Sequence, residues 1–201
     1  MKIFSITCGL PATGKSTVAG KLSVAFGMKY ISTDDVREKL PEDARTLINA
    51  NPLARHLVYY HTFAIAESLL HKGRSVIVDG TFTNKIYRKT AYYIAAKTGT
   101  PIYVIHVICK NYKLIRERYE RRKTNNPYFK EWAEIKSYNN KYVEQDPLEK
   151  EALPTGEPVP IIEYDSVRNE ANILYSDGSE AIEMILEAIT APERVKVQNG
   201  N

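Results

Sequence analysis

The sequence has few cysteines and lacks any long apolar segment. Cys8 and Cys109 are the two cysteines among 201 residues, and each ends an apolar run that predicts a buried strand. Neither has a partner at the spacing of a paired metal ligand, so we expect both to be reduced core residues. The amino terminus has no apolar stretch long enough for a secretory signal, and no run of about 18 apolar residues occurs. These absences predict a cytoplasmic protein without a membrane span.

An excess of charge of one sign is confined to one segment. The chain has a formal net charge of +4. Residues 110–123 contain seven lysines and arginines but two glutamates, which leaves five excess positive charges there and a nearly neutral remainder. This distribution indicates a local anion site and argues against a broad nucleic-acid-binding face, although the end of one nucleic acid strand could still be held there.

Short apolar runs alternate with segments of helical spacing along most of the chain. Because parallel strands need crossover connections, this alternation predicts an α/β fold with three layers: a mostly parallel five-stranded sheet with helices on both faces. The predicted strands are Ile3–Cys8, Tyr30–Thr33, Ser75–Asp79, Ile102–Cys109 and Ile161–Tyr164, with a further short strand at Asn172–Tyr175. The predicted helices are Lys15–Phe26, Asp34–Leu40, Leu53–Lys72, Lys85–Thr98, Tyr112–Lys123 and Gly178–Thr190.

The domain organisation follows from the same pattern. Residues 1–190 are predicted to form a single domain. A lid region is expected at about residues 111–145, including a helical stretch from Pro127 to about Gln145. Several prolines predict an irregular insert at about residues 146–160, and residues 191–201 are expected to form a flexible tail.

A phosphate-binding motif follows the first strand. Residues 9–16 match the pattern G-x-x-x-x-G-K-[ST], and a helix is predicted to begin at the motif's lysine. The glycines allow backbone N–H groups to converge on an anion, Lys15 reaches the outer phosphates, and Ser16 is a ligand for magnesium. The predicted ATP-binding residues are Gly9, Leu10, Pro11, Ala12, Thr13, Gly14, Lys15, Ser16 and Thr17. The alternative is an ordinary glycine turn.

Acidic residues follow the second and third predicted strands. Asp79 ends the apolar run Val76–Val78, at the sheet edge where open α/β proteins bind ligands, so it is predicted to be the second magnesium-binding residue. A solvent-facing carboxylate at a strand end is the alternative. Asp34 and Arg37 follow the second strand at the start of a helix, where a carboxylate could accept a hydroxyl proton. A helix cap with acidic residues in its first turn is the other reading.

Two arginines in the basic segment lie on one predicted helix face. Arg118 and Arg122 are four residues apart, so their guanidinium groups can converge on a phosphoryl group during transfer. This predicts an arginine-rich lid. A solvated basic helix face, paired with Glu117 and Glu120, is the alternative.

Four sequence blocks resemble a known family. Together they resemble the small P-loop kinases that include the kinase domain of phage polynucleotide kinase, the zeta-toxin-like kinases and predicted kinases described as AAA-family ATPases. The blocks are Gly9–Thr17, Ser32–Arg37, Asp79–Phe82 with Arg88, and Arg116–Arg122. The resemblance covers residues 1 to about 123, and the remainder matches only loosely.

The resemblance implies roles for individual residues. It implies that Asp34 is the general base for an acceptor hydroxyl and that Arg37 contacts a phosphate of the acceptor. It also implies that Arg118 and Arg122 line the triphosphate, and that Arg88 lies near the acceptor. Asp34, Lys15, Arg118 and Arg122 are therefore the expected catalytic residues.

These observations predict an ATP- and Mg²⁺-dependent kinase with a hydroxyl acceptor. The acceptor is left open between a polynucleotide 5′-hydroxyl end and a small metabolite, because a fold does not determine a substrate. The alternative is a P-loop ATPase that acts as a switch or assembly factor, which would need no residue in the role of Asp34. A nucleic-acid-binding module without catalysis would leave the phosphate loop without a role. The oligomeric state is left open.

The 14 tyrosines raise one further alternative. Tyrosine pairs at 59–60 and 92–93 are expected to pack within helices, and a platform for base stacking is the less favoured reading.

Overall fold

The computed structural model describes residues 2–50, 55–123 and 157–192. Within these ranges the chain forms a six-stranded sheet in the order β2-β3-β1-β4-β5-β6. Strands β1 to β5 are parallel, and β6 is antiparallel to β5. The strands are β1 Phe4–Cys8, β2 Lys29–Ser32, β3 Val76–Asp79, β4 Ile102–Ile108, β5 Ile161–Asp165 and β6 Glu170–Tyr175.

Seven helices occur in the described ranges, and local sequence signals mark several of their ends. Ser32 caps α2, because its side chain accepts hydrogen bonds from the backbone N–H groups of Asp34 and Asp35. Asn84 caps α5 in the same way, and α1 ends at Gly27 with a φ of 60°. The helices are α1 Lys15–Phe26, α2 Thr33–Glu38, α3 Glu42–Ala50, α4 Arg55–His71, α5 Lys85–Lys97, α6 Tyr112–Lys123 and α7 Glu180–Thr190.

The sheet is covered by helices on both faces, which confirms the three-layer prediction. Side chains alternate between the two faces along each strand, and both sets are apolar. On one face, Tyr103, Ile105 and Val107 of β4 pack with residues of α1 and α7, among them Leu22 and Ile185. On the other face, the buried side chains come from β1, β3 and β4 and from helices α4 and α5; they include Phe4, Ile6, Val78, Val104, Phe63, Leu70 and Ile94.

The structure differs from the sequence-based expectation at two elements. The sheet has six strands where five were predicted, because the short segment at 172–175 extends back to Glu170 and pairs with β5. Its side chains are mostly exposed, so the strand lacks the apolar alternation that marks a buried strand. Helix α3 was not predicted. Ile48 is 2% exposed and Leu47 is 52% exposed, so this short helix has a weak apolar signal.

Several predictions fall outside the described residues. These are the lid region beyond Lys123, the helical stretch to Gln145, the first part of the irregular insert and the tail beyond Pro192. Both cysteines are free, and Cys8 is buried as expected. Cys109 is only partly buried, since it follows the last residue of β4 and lies beyond the core, so the core prediction is wrong for this residue. In the described part of the chain, no helix has the length and apolar character needed to cross a membrane.

Candidate nucleotide and acceptor site

The carboxyl ends of the parallel strands β1 to β4 meet at one edge of the sheet. The phosphate loop follows β1, α2 follows β2, and the segment Gly80–Phe82 follows β3. Helix α4 runs back toward the start of β3, so its first turns lie at this same edge. The fold therefore brings the sequence-predicted blocks to a common region, as open parallel sheets do for their ligands.

The phosphate loop has a backbone shape that glycine permits at two positions. Gly9 has a φ of 138°, and a Cβ atom there would lie 2.3 Å from the carbonyl oxygen of Val107. Gly14 has a φ of 106° and caps the amino terminus of α1. The N–H of Gly9 donates to the carbonyl of Thr81 at 2.9 Å. The loop is thus tied to the segment after β3, and the positive end of the α1 dipole faces it.

Lys15 is folded into the phosphate loop. Its side chain is largely buried, and its ammonium donates to the carbonyl oxygen of Leu10. The hydroxyl of Thr13 donates to the same carbonyl at 2.9 Å. The loop therefore has a cation within reach of any anion held by its backbone N–H groups.

Asp79 is buried at the end of β3, and both of its carboxylate oxygens accept hydrogen bonds. Thr7 donates to Oδ1 at 2.8 Å, and the hydroxyl of Tyr30 donates to Oδ2 at 2.8 Å. Burial and the neighbouring Asp79 carboxylate raise the pKa of Tyr30, while a hydrogen bond with the Ser16 side chain acts in the opposite direction. Tyr30 thus contacts Asp79, one of the two residues that the sequence predicts to hold magnesium.

The chemistry of this pair suits magnesium. A hydroxyl and a carboxylate supply the hard oxygen atoms that Mg²⁺ prefers. Among the described residues, no cluster of three or more His, Cys, Asp or Glu side chains could hold a metal by itself. A magnesium ion at Ser16 and Asp79 would therefore take its other ligands from water and from nucleotide phosphates.

Asp34 and Arg37 lie at the exposed start of α2. Their side chains form an ion pair of 3.0 Å between Oδ1 and Nη2, and the Asp34 side chain is 67% exposed. The backbone of Asp34 is held by the Ser32 cap, so its carboxylate is free to point away from the helix end. The arrangement leaves this carboxylate available to a ligand from solvent. The general-base role remains a prediction.

Arg88 is buried beside the segment that follows β3. Its side chain has an exposed fraction of 0%. The guanidinium donates to both carboxylate oxygens of Glu157, with a shortest distance of 2.8 Å, and to the carbonyl of Phe82 at 2.6 Å. Tyr92 also donates its hydroxyl to Glu157. Arg88 therefore holds the segment after β3 in place, and its position near an acceptor remains a prediction.

Arg118 reaches the phosphate loop from α6. Its Nη1 donates to the carbonyl of Ala12 at 3.3 Å and to the hydroxyl of Ser166 at 3.2 Å. Beside Arg118 lies a cavity of about 260 Å³. Its lining includes Arg118 and Ser166 together with Gly14, Thr17, Lys21 and Tyr164. Helix α6 includes residue 122, but the side chain of Arg122 lies outside the described part, so the predicted convergence of the two arginines is not tested.

Four residues at this edge were not identified from the sequence. Ser166 and Glu157 pair with Arg118 and Arg88 across 48 and 69 residues, and no local motif marks such contacts. Thr7 had a signal, because it is a hydroxyl residue inside the apolar run of β1. The sequence signal for Tyr30 was weaker. Tyr30 lies two residues before Ser32 and therefore on the same side of β2, and Ser32 is paired with Asp79.

A family model and a curated relative match the chain. The model of the AAA domain family matches residues 5–143. The uncharacterized protein Rv2004c of Mycobacterium tuberculosis is 37% identical in an alignment of 105 residues that covers 47% of this chain. The matched part is 20% of that protein's length, so the chain corresponds to a small part of this longer relative.

Solved structures of two kinases have a similar fold. A sugar kinase from Janibacter sp. HTCC2649 superposes with a TM-score of 0.56 at 14% identity, covering 94% of each chain. A gluconokinase from Sinorhizobium meliloti 1021 superposes with a TM-score of 0.51 at 16% identity, covering 93% of this chain and 91% of that one. At this level of identity the likeness concerns the fold. The chain belongs to the AAA domain family, and its fold is similar to the folds of these two kinases.

Proposed function

We propose that this protein is an ATP-dependent kinase that transfers the γ-phosphoryl group to the hydroxyl of a small-molecule acceptor. The proposal rests on the convergence of the phosphate loop, Asp79 and the Ser32–Arg37 segment at one sheet edge. A nucleotide site is required for either a kinase or an ATPase. A carboxylate available to a second ligand, as at Asp34, favours the kinase.

The nucleotide binds with its phosphates against the loop. The N–H groups at the start of α1 and the ammonium of Lys15 hold the outer phosphates. Ser16 and Asp79 would hold Mg²⁺, which would supply positive charge that stabilises the phosphates during transfer. Arg118 already contacts the loop at Ala12, so a small rotation of its side chain brings the guanidinium to the triphosphate. The adjacent cavity receives the nucleoside.

The chemical step is a direct displacement. The Asp34 carboxylate accepts the proton of the acceptor hydroxyl, the hydroxyl oxygen forms a bond to the γ-phosphorus, and the bond from phosphorus to the bridging oxygen of ADP breaks. Arg37, which pairs with Asp34, orients the carboxylate and contacts a phosphate of the acceptor if one is present. Arg122 stabilises the charge on the transferring group.

Two observations favour a small acceptor over a polynucleotide. The excess positive charge of the sequence lies in residues 110–123, which argues against extended contacts along a nucleic acid strand, and the acceptor screen tests whether the end of one strand is held there. The similar solved structures are named a sugar kinase and a gluconokinase, and both names denote enzymes that phosphorylate small hydroxyl compounds.

The test is an acceptor screen with γ-labelled ATP and Mg²⁺. Sugars, other small hydroxyl compounds, and RNA and DNA with 5′-hydroxyl ends are compared for transfer of label. With the accepted compound, Asp34→Asn should lower the transfer rate by about two to four orders of magnitude, because the proton acceptor is lost. Binding of ATP should persist, since the phosphate loop is unchanged.

Asp35→Asn is the matched control, because it lies in the same helix turn and carries the same charge. It should transfer label at close to the wild-type rate. Rapid ATP hydrolysis that no acceptor accelerates and that Asp34→Asn leaves unchanged would contradict the kinase and favour a switch ATPase.

A further inference from the structure

Tyr30 lies on β2, and its phenol spans the distance to the end of β3. The ring is partly exposed, with an exposed fraction of 37%, while its hydroxyl reaches Oδ2 of the buried Asp79 at 2.8 Å. β2 is the edge strand of the sheet and pairs only with β3 in the described ranges. A half-exposed ring on an edge strand contributes limited packing, so the hydroxyl is the main contact that this side chain makes with the site.

The Asp79 carboxylate accepts hydrogen bonds from two hydroxyl groups, and Tyr30 provides one of them. Thr7, fully buried on β1, donates to Oδ1, and Tyr30 donates to Oδ2. The two bonds fix the carboxylate from opposite sides and determine its rotation about the Cβ–Cγ bond. The phenol of Tyr30 therefore connects the edge strand β2 to the end of β3 at the Asp79 carboxylate.

We propose that Tyr30 is a positioning residue of the magnesium site, whose hydroxyl holds the Asp79 carboxylate in the orientation in which it would bind Mg²⁺. The proposal rests on the proposed function, because it assumes that Ser16 and Asp79 bind the metal. Partners that orient the ligands of a metal commonly change its affinity by about 10- to 100-fold when they are removed. Mg²⁺ demands near-ideal octahedral geometry, so it is sensitive to such orientation.

The test compares Tyr30→Phe with the wild type in nucleotide binding, measured by calorimetry as a function of Mg²⁺ concentration. The variant keeps the ring and removes only the hydroxyl. The Mg²⁺ concentration that gives half of the gain in ATP affinity should rise by about tenfold. Binding of ATP without Mg²⁺ and the thermal unfolding midpoint should remain close to the wild-type values.

Tyr103→Phe is the matched control. It removes a tyrosine hydroxyl that is also hydrogen-bonded, to Ser179, at a position near the start of β4 and away from the loop edge. Its Mg²⁺ dependence should equal that of the wild type. In a double-mutant cycle, Tyr30→Phe should add little to the loss when Asp79 is already asparagine, because Tyr30 acts on the metal through the Asp79 carboxylate.

The outcomes separate the inference from the proposed function. If wild-type ATP binding responds to Mg²⁺ and Tyr30→Phe responds identically, the inference is wrong while the kinase proposal stands. If Tyr30→Phe loses ATP affinity equally with and without Mg²⁺, the role of Tyr30 is structural and the inference is also wrong. If the wild type shows no response to Mg²⁺, the metal assignment itself fails.

Discussion

At the scale of single residues, the buried ion pair of Arg88 and Glu157 has the largest expected effect on folding. Arg88 makes bonds to Glu157 and to two backbone carbonyls, those of Phe82 and Thr83, with no exposed surface. Arg88→Met would leave the Glu157 carboxylate buried without its counter-ion. Removing one partner of such a pair typically lowers the free energy of unfolding by about 3–5 kcal/mol, which urea unfolding would measure.

The double variant Arg88→Met, Glu157→Leu is the control for this prediction. It removes both charges, so it should recover most of the lost stability, because apolar residues of similar size often replace a buried ion pair without penalty. An Arg88→Met protein that folds with wild-type stability and has a raised KM for the acceptor would contradict this prediction. That outcome would favour a role of Arg88 in acceptor binding.

At the scale of elements, the turn from β1 into α1 depends on glycine at position 9, whereas helix α1 merely tolerates glycine at position 20. In Gly9→Ala the new methyl group would meet the Val107 carbonyl at a backbone φ that favours glycine. Strain on the order of 1–3 kcal/mol is expected in the loop, and ATP affinity should fall by about tenfold or more. Nucleotide binding by calorimetry would measure the change.

Gly20→Ala is the contrasting change in the same helix. Gly20 lies inside α1, and a Cβ atom there meets no atom within 4 Å. Alanine should raise the free energy of unfolding by about 0.5–1 kcal/mol, because glycine is unfavourable within a helix. Its ATP affinity should be unchanged. Equal ATP affinity in the Gly9 and Gly20 variants would mean that the loop shape does not form the nucleotide site.

At the scale of the whole molecule, one buried and two partly buried groups make the stability of the fold depend on pH in the alkaline range. Burial raises the pKa of the Cys8 thiol to about 11. Burial and Asp79 raise the pKa of Tyr30, and burial and the bond to Glu157 raise the pKa of Tyr92. The folded chain therefore keeps protons that the unfolded chain loses at about pH 8.5–10. The stability that these protonated groups contribute is fully present below about pH 8.5 and is lost as the pH rises above that value.

The urea midpoint, measured from pH 7 to 11 at constant ionic strength, should fall steadily over the upper part of that range. Tyr30→Phe removes one of the three groups and should make the decline shallower than in the wild type. A midpoint that stays level to pH 11 would show that these groups release their protons without unfolding.

The sequence by itself determined the elements whose signals are local. The phosphate loop, the bounds of α1 and α6 and the position of each parallel strand follow from glycine spacing, apolar periodicity and helix caps. The three-layer α/β arrangement follows too, because alternating strands and helices have few ways to bury their apolar faces. Asp79 was placed at the end of β3 in this way, and its role at the ligand edge of the sheet remains a prediction.

Only the tertiary structure decided which polar side chains meet at that edge. Arg88 looks like a site residue in the sequence, and its burial depends on Glu157, 69 residues away. Tyr30 reads as an ordinary strand residue, and its contact with Asp79 depends on the pairing of β2 with β3. The strand β6 is mostly exposed and is held by its pairing with β5. Such contacts join distant segments, and their energy depends on distance and burial, which no local pattern of residues records.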